Sequence, residues 1–202
     1  MERLTAGRIA PSFRLPSAQG PEVGLDDFRG KKRVVVWFTK GMACIFCRQH
    51  MSQLARAYSR FQALDAEVLE ITPTPPERAR FYAKKYALPF PYLCDPQDQV
   101  KRAWSLEVRR RSPLWYAKGM FLGMTCPKPD NDFGMEPPAP GELALLLRDE
   151  DAGLYIVDRE GVIRFAYADT YLTLDSAKNP VRPIPSNEEI VRELERAPHS
   201  GA

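Results

Sequence analysis

No stretch of this 202-residue chain is apolar for long enough to cross a bilayer as a helix. The opening "MERLTAGRIAPSF" also lacks the apolar core of a secretory signal, so a cytoplasmic protein is the expectation. Charge of one sign is scarce as well. A net charge of +3 is too small to make nucleic acid or an anionic membrane the obligate partner. With four cysteines the chain has no disulfide framework, and in a reducing compartment a close pair cycles or binds metal rather than stapling the fold. Only two histidines are present, His50 and His199, which leaves little for a nitrogen-rich metal site. Internal repeats and low-complexity tracts are absent, and only the ending "APHSGA" reads as disordered.

The composition that remains, 44% hydrophobic and 27% charged, suits a single domain spanning residues 1–202 with a proper core. Residues 9–30 read as short strands and turns. The run Val34 to Phe38 is continuously apolar and β-branched or aromatic, the signature of a central strand buried on both faces. From Cys47 the period changes. Met51, Leu54, Ala55, Tyr58, Phe61 and Leu64 recur at helical steps. A second strand at 67–73 precedes a helix with Pro76 and Glu77 in its first turn and Phe81, Tyr82 and Leu88 as apolar positions. "PFPYLCDP" supplies a third strand, and residues 98–106 a further helix. This alternation predicts an α/β domain. Regularity fails at about 107–142, where Ser112 and Pro113 open a short helix and "RRR" at 109–111 reads as a solvated turn. "GLYIVDREGVIRFAY" then predicts an antiparallel hairpin around Asp158–Gly161. The last helix starts at "PSNEE", with Ser186 and Glu189 in capping-box spacing and Ile190, Val191 and Leu194 as its apolar stripe.

The chemistry concentrates in "GMACIFCRQHM", residues 41–51. Cys44 and Cys47 stand in C-x-x-C spacing between a buried strand and a helix. A helix start offers free N–H groups and partial positive charge to a thiolate, the reactive form of cysteine. Lys40 and Arg48 add cations at either edge. Two structural cysteines are the bland alternative, and the helix-start placement and the flanking cations weigh against it. Met42, Cys44, Cys47, His50 and Met51 also form a soft ligand set suited to copper(I) or zinc. Its weak core is Cys44, Cys47 and His50, one good ligand short of a structural zinc site, and the period makes Met51 core and His50 a helix-surface residue.

The surrounding sequence resembles the peroxiredoxin-like (AhpC/TSA, redoxin) group of the thioredoxin-fold superfamily. Gly7, Ala10, Pro11, Phe13 and Leu15 match its opening motif, and Gly20, Val23, Leu25, Phe28 and Gly30 the next. The likeness continues through "LPFPYLCDP", "GLYIVDREGVIRFAY" and "IPSNEEIV", and is nearest to variants carrying a C-x-x-C site. It implies a thioredoxin-like fold: a central mixed sheet flanked by helices, with a peroxiredoxin-type N-terminal extension and an irregular insertion at 107–142. Residue by residue, Cys47 falls on the family's peroxide-attacking position. Cys44 replaces a threonine and Lys40 a proline. The family's later arginine aligns with Ala152, and Arg148 is the candidate to replace it. No proline precedes "GLY" where thioredoxins carry one.

The resemblance implies a thiol-dependent oxidoreductase that cycles a Cys44–Cys47 dithiol and disulfide, reducing hydroperoxides. The alternative is a thioredoxin-like exchange with protein disulfides, and a copper- or zinc-binding protein ranks third. Thioredoxin, glutathione or a similar thiol donor supplies the electrons, and no bound cofactor is implied. Either cysteine can attack first: Cys44 as in thioredoxins, Cys47 as in peroxiredoxins. Cys126, in a Gly/Pro-rich segment, is a further candidate resolving thiol, and Cys94 reads as a small buried residue. "PLWYAKGMFLGM" suits a cover for the site, a homodimer contact or a satellite core equally well.

Overall fold

A computed structural model describes residues 2–109, 111–125, 132–134, 138–146, 148–170 and 184–196. Cys126, His199 and the C-terminal tail lie outside the described residues. The centre is β3 (Arg33–Phe38), whose side chains alternate between the two faces of the sheet. Val35 and Trp37 join one core with Met51, Leu54, Phe61, Val68 and Ile190. Val34, Val36 and Phe38 join the other with Leu69, Ile71, Trp104 and Tyr155. Both faces are covered, which is why the strand is apolar throughout.

Beside β3 run β4 (Ala66–Thr72), parallel to it, and then β5 (Tyr92–Cys94), parallel to β4. On the other side β7 (Asp149–Val157) is antiparallel to β3 and pairs Leu154 with Trp37. The short β6 (Val108–Arg109) and β8 (Ile163–Thr170) both pair with β7 in antiparallel fashion, β8 through the turn at Asp158–Gly161. A separate two-stranded ribbon, β1 (Arg14–Leu15) with β2 (Val23–Gly24), forms the N-terminal extension. This is the mixed sheet the sequence predicts. Helix α1 (Ile45–Ala63) and α6 (Asn187–Arg196) pack against each other, and both contribute to the core that Trp37 joins. The capping box of α6 forms: the Ser186 N–H donates to Glu189 and the Glu189 N–H to the Ser186 hydroxyl. Helices α2 (Pro76–Lys85) and α3 (Gln99–Ala103) follow β4 and β5.

Three local expectations change. Phe81 is not core; it is 42% exposed, with the Arg78 and Lys85 cations over its ring, while Tyr82 takes the buried position. The basic run is not a solvated turn. Arg109 reaches Asp151 at 2.8 Å and Arg111 reaches Asp149 at 2.8 Å, because two buried strand carboxylates require cations. The 107–142 segment is less irregular than its composition. It holds β6, the thirteen-residue α4 (Pro113–Thr125), begun at Ser112, and a short turn of helix at Pro140–Glu142 that leads into α5 (Leu143–Leu146). Leu114 and Phe121 of α4 are exposed, so these two do not form a satellite core.

One polar cluster lies inside this apolar frame. Glu70 is fully buried on β4 and accepts a 2.9 Å hydrogen bond from the Thr39 hydroxyl, which in turn accepts the Gly41 N–H at 2.9 Å. Beside it, the Tyr92 hydroxyl accepts from the Met42 N–H and contacts Thr72 and Thr74. Burial pushes the Glu70 carboxyl well above the usual carboxylate range, so it stays protonated where an unfolded glutamate ionises. A raised acid weakens folding as pH climbs above the unfolded value. Glu70→Gln, which keeps the acceptor for Thr39 but cannot ionise, is therefore expected to be more stable than wild type. Urea unfolding should show the margin growing between about pH 5 and about pH 8.

Candidate active site

Gly41 begins the site. Its φ of +83° is in the left-handed region, and a Cβ there would run into the hydroxyls of Thr72 and Thr74. This turn leads the chain off β3 and delivers Cys44 to the N-cap position of α1, with extended dihedrals of −81° and 121°. No regular side-chain cap bond closes there. The sulfur is instead stabilised as thiolate by the Cys47 thiol, the Lys40 charge and the backbone N–H groups of Cys47 and Phe46. Against the opposing cost of burial, these influences bring the Cys44 thiol from its ordinary 9.0 down to about 6, the Cys47 hydrogen bond being the largest. Cys44, Cys47 and Cys94 are all free thiols. Cys44 keeps 8% of its surface exposed, whereas Cys47 is fully buried. Ala152 of β7 forms one small buried cluster with Cys44 and Cys47, with Phe46 and Ile184 partly buried against it. The position that the resemblance aligns with an arginine thus lies with the dithiol, but it presents a methyl group.

The other candidates are placed as follows. Lys40 is the cation acting on Cys44, and its ammonium donates to the backbone carbonyl of Arg148. The Arg148 guanidinium itself is committed elsewhere, to Asp98 at 2.6 Å and Glu150 at 3.0 Å, so Arg148 does not replace the missing arginine with its own side chain. Arg48 is buried and donates to the carbonyls of Met42 and Gly134, stapling the loop to α1. His50 is not a free surface residue. Its ring lies against Trp37, and burial lowers its pKa to about 4, so it is neutral at physiological pH. Its Nδ1 and the Trp37 Nε1 are buried without hydrogen-bond partners. Both residues line a cavity of about 210 Å³ with Leu54, Leu154, Ile184 and Ile190. Among the described residues no group of three or more His, Cys, Asp or Glu could hold a metal ion, so Cys44, Cys47 and His50 do not make a ligand set. Cys94 is buried on β5, its thiol pushed up to about 11 by burial.

Sequence reading passes over the residues that shape the site from behind. Glu70, inside the apolar run "EVLEITP", is the one detectable signal, since a charge in a doubly covered strand calls for a reason. Thr39, Thr72, Thr74 and Tyr92 carry no such mark.

Comparison with known proteins bears on the family and the fold. The model of the AhpC/TSA family matches residues 6–166. A Mycobacterium tuberculosis protein whose name places it provisionally with the peroxiredoxins is 35% identical over 102 residues, covering 50% of this chain and 64% of that one. The chloroplastic peroxiredoxin Q of Gentiana triflora is 31% identical over 104 residues, 52% of this chain and 48% of its own. The chain thus spans between about half and two thirds of the length of these curated relatives. Among solved structures, peroxidoxin BcpB of Mycobacterium tuberculosis superposes with a TM-score of 0.62 at 13% identity, covering 97% of this chain and 99% of that one. Peroxiredoxin Q of Xanthomonas campestris gives 0.59 at 11% identity, covering 92% and 90%. These likenesses establish the thioredoxin-like fold.

The electrostatic account of Cys44 is testable by thiolate absorbance or by the rate of alkylation against pH. The wild-type midpoint is expected near 6, with reactivity lost as pH falls through it. Lys40→Met should raise the midpoint by about one pH unit.

Proposed function

The chain belongs to the AhpC/TSA family, and we propose that it works there as a dithiol peroxidase in which Cys44 attacks and Cys47 resolves. The observation that carries this reading is the placement of Cys44: at the start of α1, beside Lys40, keeping 8% of its surface exposed where Cys47 keeps none, and receiving the Cys47 thiol as a hydrogen-bond donor. The Cys44 thiolate attacks the terminal oxygen of a hydroperoxide. The O–O bond breaks, Cys44 becomes a sulfenic acid, and the alkoxide leaves. Cys47 is placed to give its proton to that oxygen. As a thiolate it then attacks the Cys44 sulfur, releasing hydroxide and closing the Cys44–Cys47 disulfide. Two electrons have passed from the dithiol to the peroxide, and an external thiol donor such as thioredoxin or glutathione returns them.

The narrow exposure of Cys44 favours a small oxidant over a folded protein's disulfide. The cavity of about 210 Å³ lined by Trp37, His50, Leu54 and Leu154 shares Ile184 with the apolar neighbours of the dithiol, and is the pocket we assign to the organic part of a hydroperoxide. A thiol-reducing compartment, the cytoplasm, is the setting in which three free cysteines and this cycle are compatible.

Stopped-flow oxidation of the reduced protein separates the roles. Cys44→Ser is expected to abolish the fast reaction with hydroperoxide. Cys47→Ser, whose hydroxyl still donates to Cys44, should react within about tenfold of wild type and stop at a sulfenic acid trapped by dimedone. Fast oxidation surviving in Cys44→Ser would reverse the assignment. Inertness to peroxide with activity on insulin disulfides would replace it by thiol–disulfide exchange.

A further inference from the structure

The dithiol is the only catalytic feature the reading above uses, yet an ion cluster lies immediately behind it. β7 begins with three consecutive buried acids, Asp149, Glu150 and Asp151, exposed by 2%, 1% and 0%. Three such carboxylates on one strand require cations, and the strand's alternation sends them to different ones. Asp149 and Asp151 go to one group. Arg111 and Thr170 bind Asp149, and Arg109 and Arg3 reach Asp151. Glu150 goes to another. Lys101 lies 3.1 Å and Arg148 3.0 Å from its Oε2, and Arg148 also donates to Asp98 at 2.6 Å. The contacts to Glu150 are ion pairs without hydrogen-bond alignment, whereas Asp98–Arg148 is a true charge-assisted hydrogen bond.

Two features tie this second group to the thiols. Glu150 and Ala152 are two residues apart on one strand, hence on one face, and Ala152 shares a small buried cluster with Cys44 and Cys47. And the Arg148 backbone carbonyl is the acceptor for the Lys40 ammonium. The Arg148 side chain is held from the β7 side by Glu150 and from the start of α3 by Asp98. We infer that the buried cluster of Asp98, Lys101, Arg148 and Glu150 is a positioning device for Lys40, and through Lys40 for the charge that activates Cys44. Where the resemblance aligns an arginine, this chain has Ala152, and the cation is instead a lysine held by the backbone oxygen of the residue just before β7. The cluster's own charges balance, two acids against Lys101 and Arg148, so it acts through geometry and not by adding a net field at the sulfur. The groups facing Cys44 are Cys47 and the first N–H groups of α1, Lys40 from the preceding loop, and the uncharged Ala152 and Ile184 from β7 and the segment before α6.

The inference rests on Cys44 as the activated thiol, but its test needs no peroxide. The readout is the pH midpoint of Cys44 thiolate formation, followed by ultraviolet absorbance in a Cys47→Ser background, with thermal stability measured in parallel. Glu150→Gln should raise the midpoint by about half a pH unit or more, Asp98→Asn in the same direction, and Lys40→Met together with Glu150→Gln no further than Lys40→Met alone. Asp149→Asn is the control, since it breaks an equally buried ion pair on the other face of the same strand and should lower stability while leaving the midpoint in place. An unchanged midpoint in Glu150→Gln, or an equal rise in Asp149→Asn, would overturn the inference and leave the cluster a purely structural one. If the midpoint moves as expected but the protein proves inert to hydroperoxides, the positioning role stands and the peroxidase reading falls.

Discussion

The left-handed turn at Gly41 is the constraint on which the rest of the site depends. It is the point where the chain leaves the central strand, and it is pressed so closely onto the Thr72, Thr74 and Tyr92 hydroxyls that only a hydrogen fits. A turn on an apolar floor would leave its N–H groups unsatisfied. Here Gly41 and Met42 donate to Thr39 and Tyr92 instead, and the protonated Glu70 completes the set through Thr39. The polar cluster in the core is thus the template for the loop. From it follow the direction of Lys40 on one side and the N-cap placement of Cys44 on the other.

Given that placement, the electrostatics are local. Cys44 and Cys94 are the same side chain in one protein, both buried, and their thiols lie about 6 and about 11. Desolvation opposes the thiolate at both positions. What differs is that Cys44 has a helix start, a neighbouring thiol and Lys40, while Cys94 closes a β-strand with only the remote charge of Arg80 to counter burial. Burial alone therefore makes an inert cysteine, and burial combined with aligned donors makes a reactive one. The same contrast accounts for a thiolate site whose β7 neighbour is Ala152 and not a cation. The Cys47 hydrogen bond is the largest stabilising influence, followed by Lys40 and then by the N–H groups of the helix start.

Elements whose cause is a repeating apolar pattern were legible in the sequence. Val34–Phe38 as a central strand, Met51–Phe61 as a helix face, and the Ser186–Glu189 capping box each follow from a period or a spacing that local physics dictates. The dithiol's position at a helix start was legible for the same reason. The partners of the charged residues were not. Arg48, Arg148 and Lys40 look alike in sequence as cations near cysteines. Which one acts on the thiolate depends on long-range contacts, Arg48 with Gly134, Arg148 with Asp98 and Lys40 with the Arg148 carbonyl, that no local pattern encodes. "RRR" looks like a solvated run because it is charged. Arg109 and Arg111 instead pair with the buried Asp151 and Asp149, a match visible only once β6 is laid beside β7.

Alignment with the family sets Cys47 at the attacking position, while geometry favours Cys44, and the conflict has a physical resolution. A residue at the N-cap stands outside the helix, where its side chain meets the free N–H groups ahead of it and retains a path to solvent. A residue three positions later belongs to the first turn, and in this chain Cys47 there clusters with Ala152 and has no exposed surface. On the proposed reading the N-cap cysteine carries the charge, and the buried Cys47 thiol donates to it. In the proposed cycle the attacking and resolving sulfurs then lie within one helical turn, three residues apart.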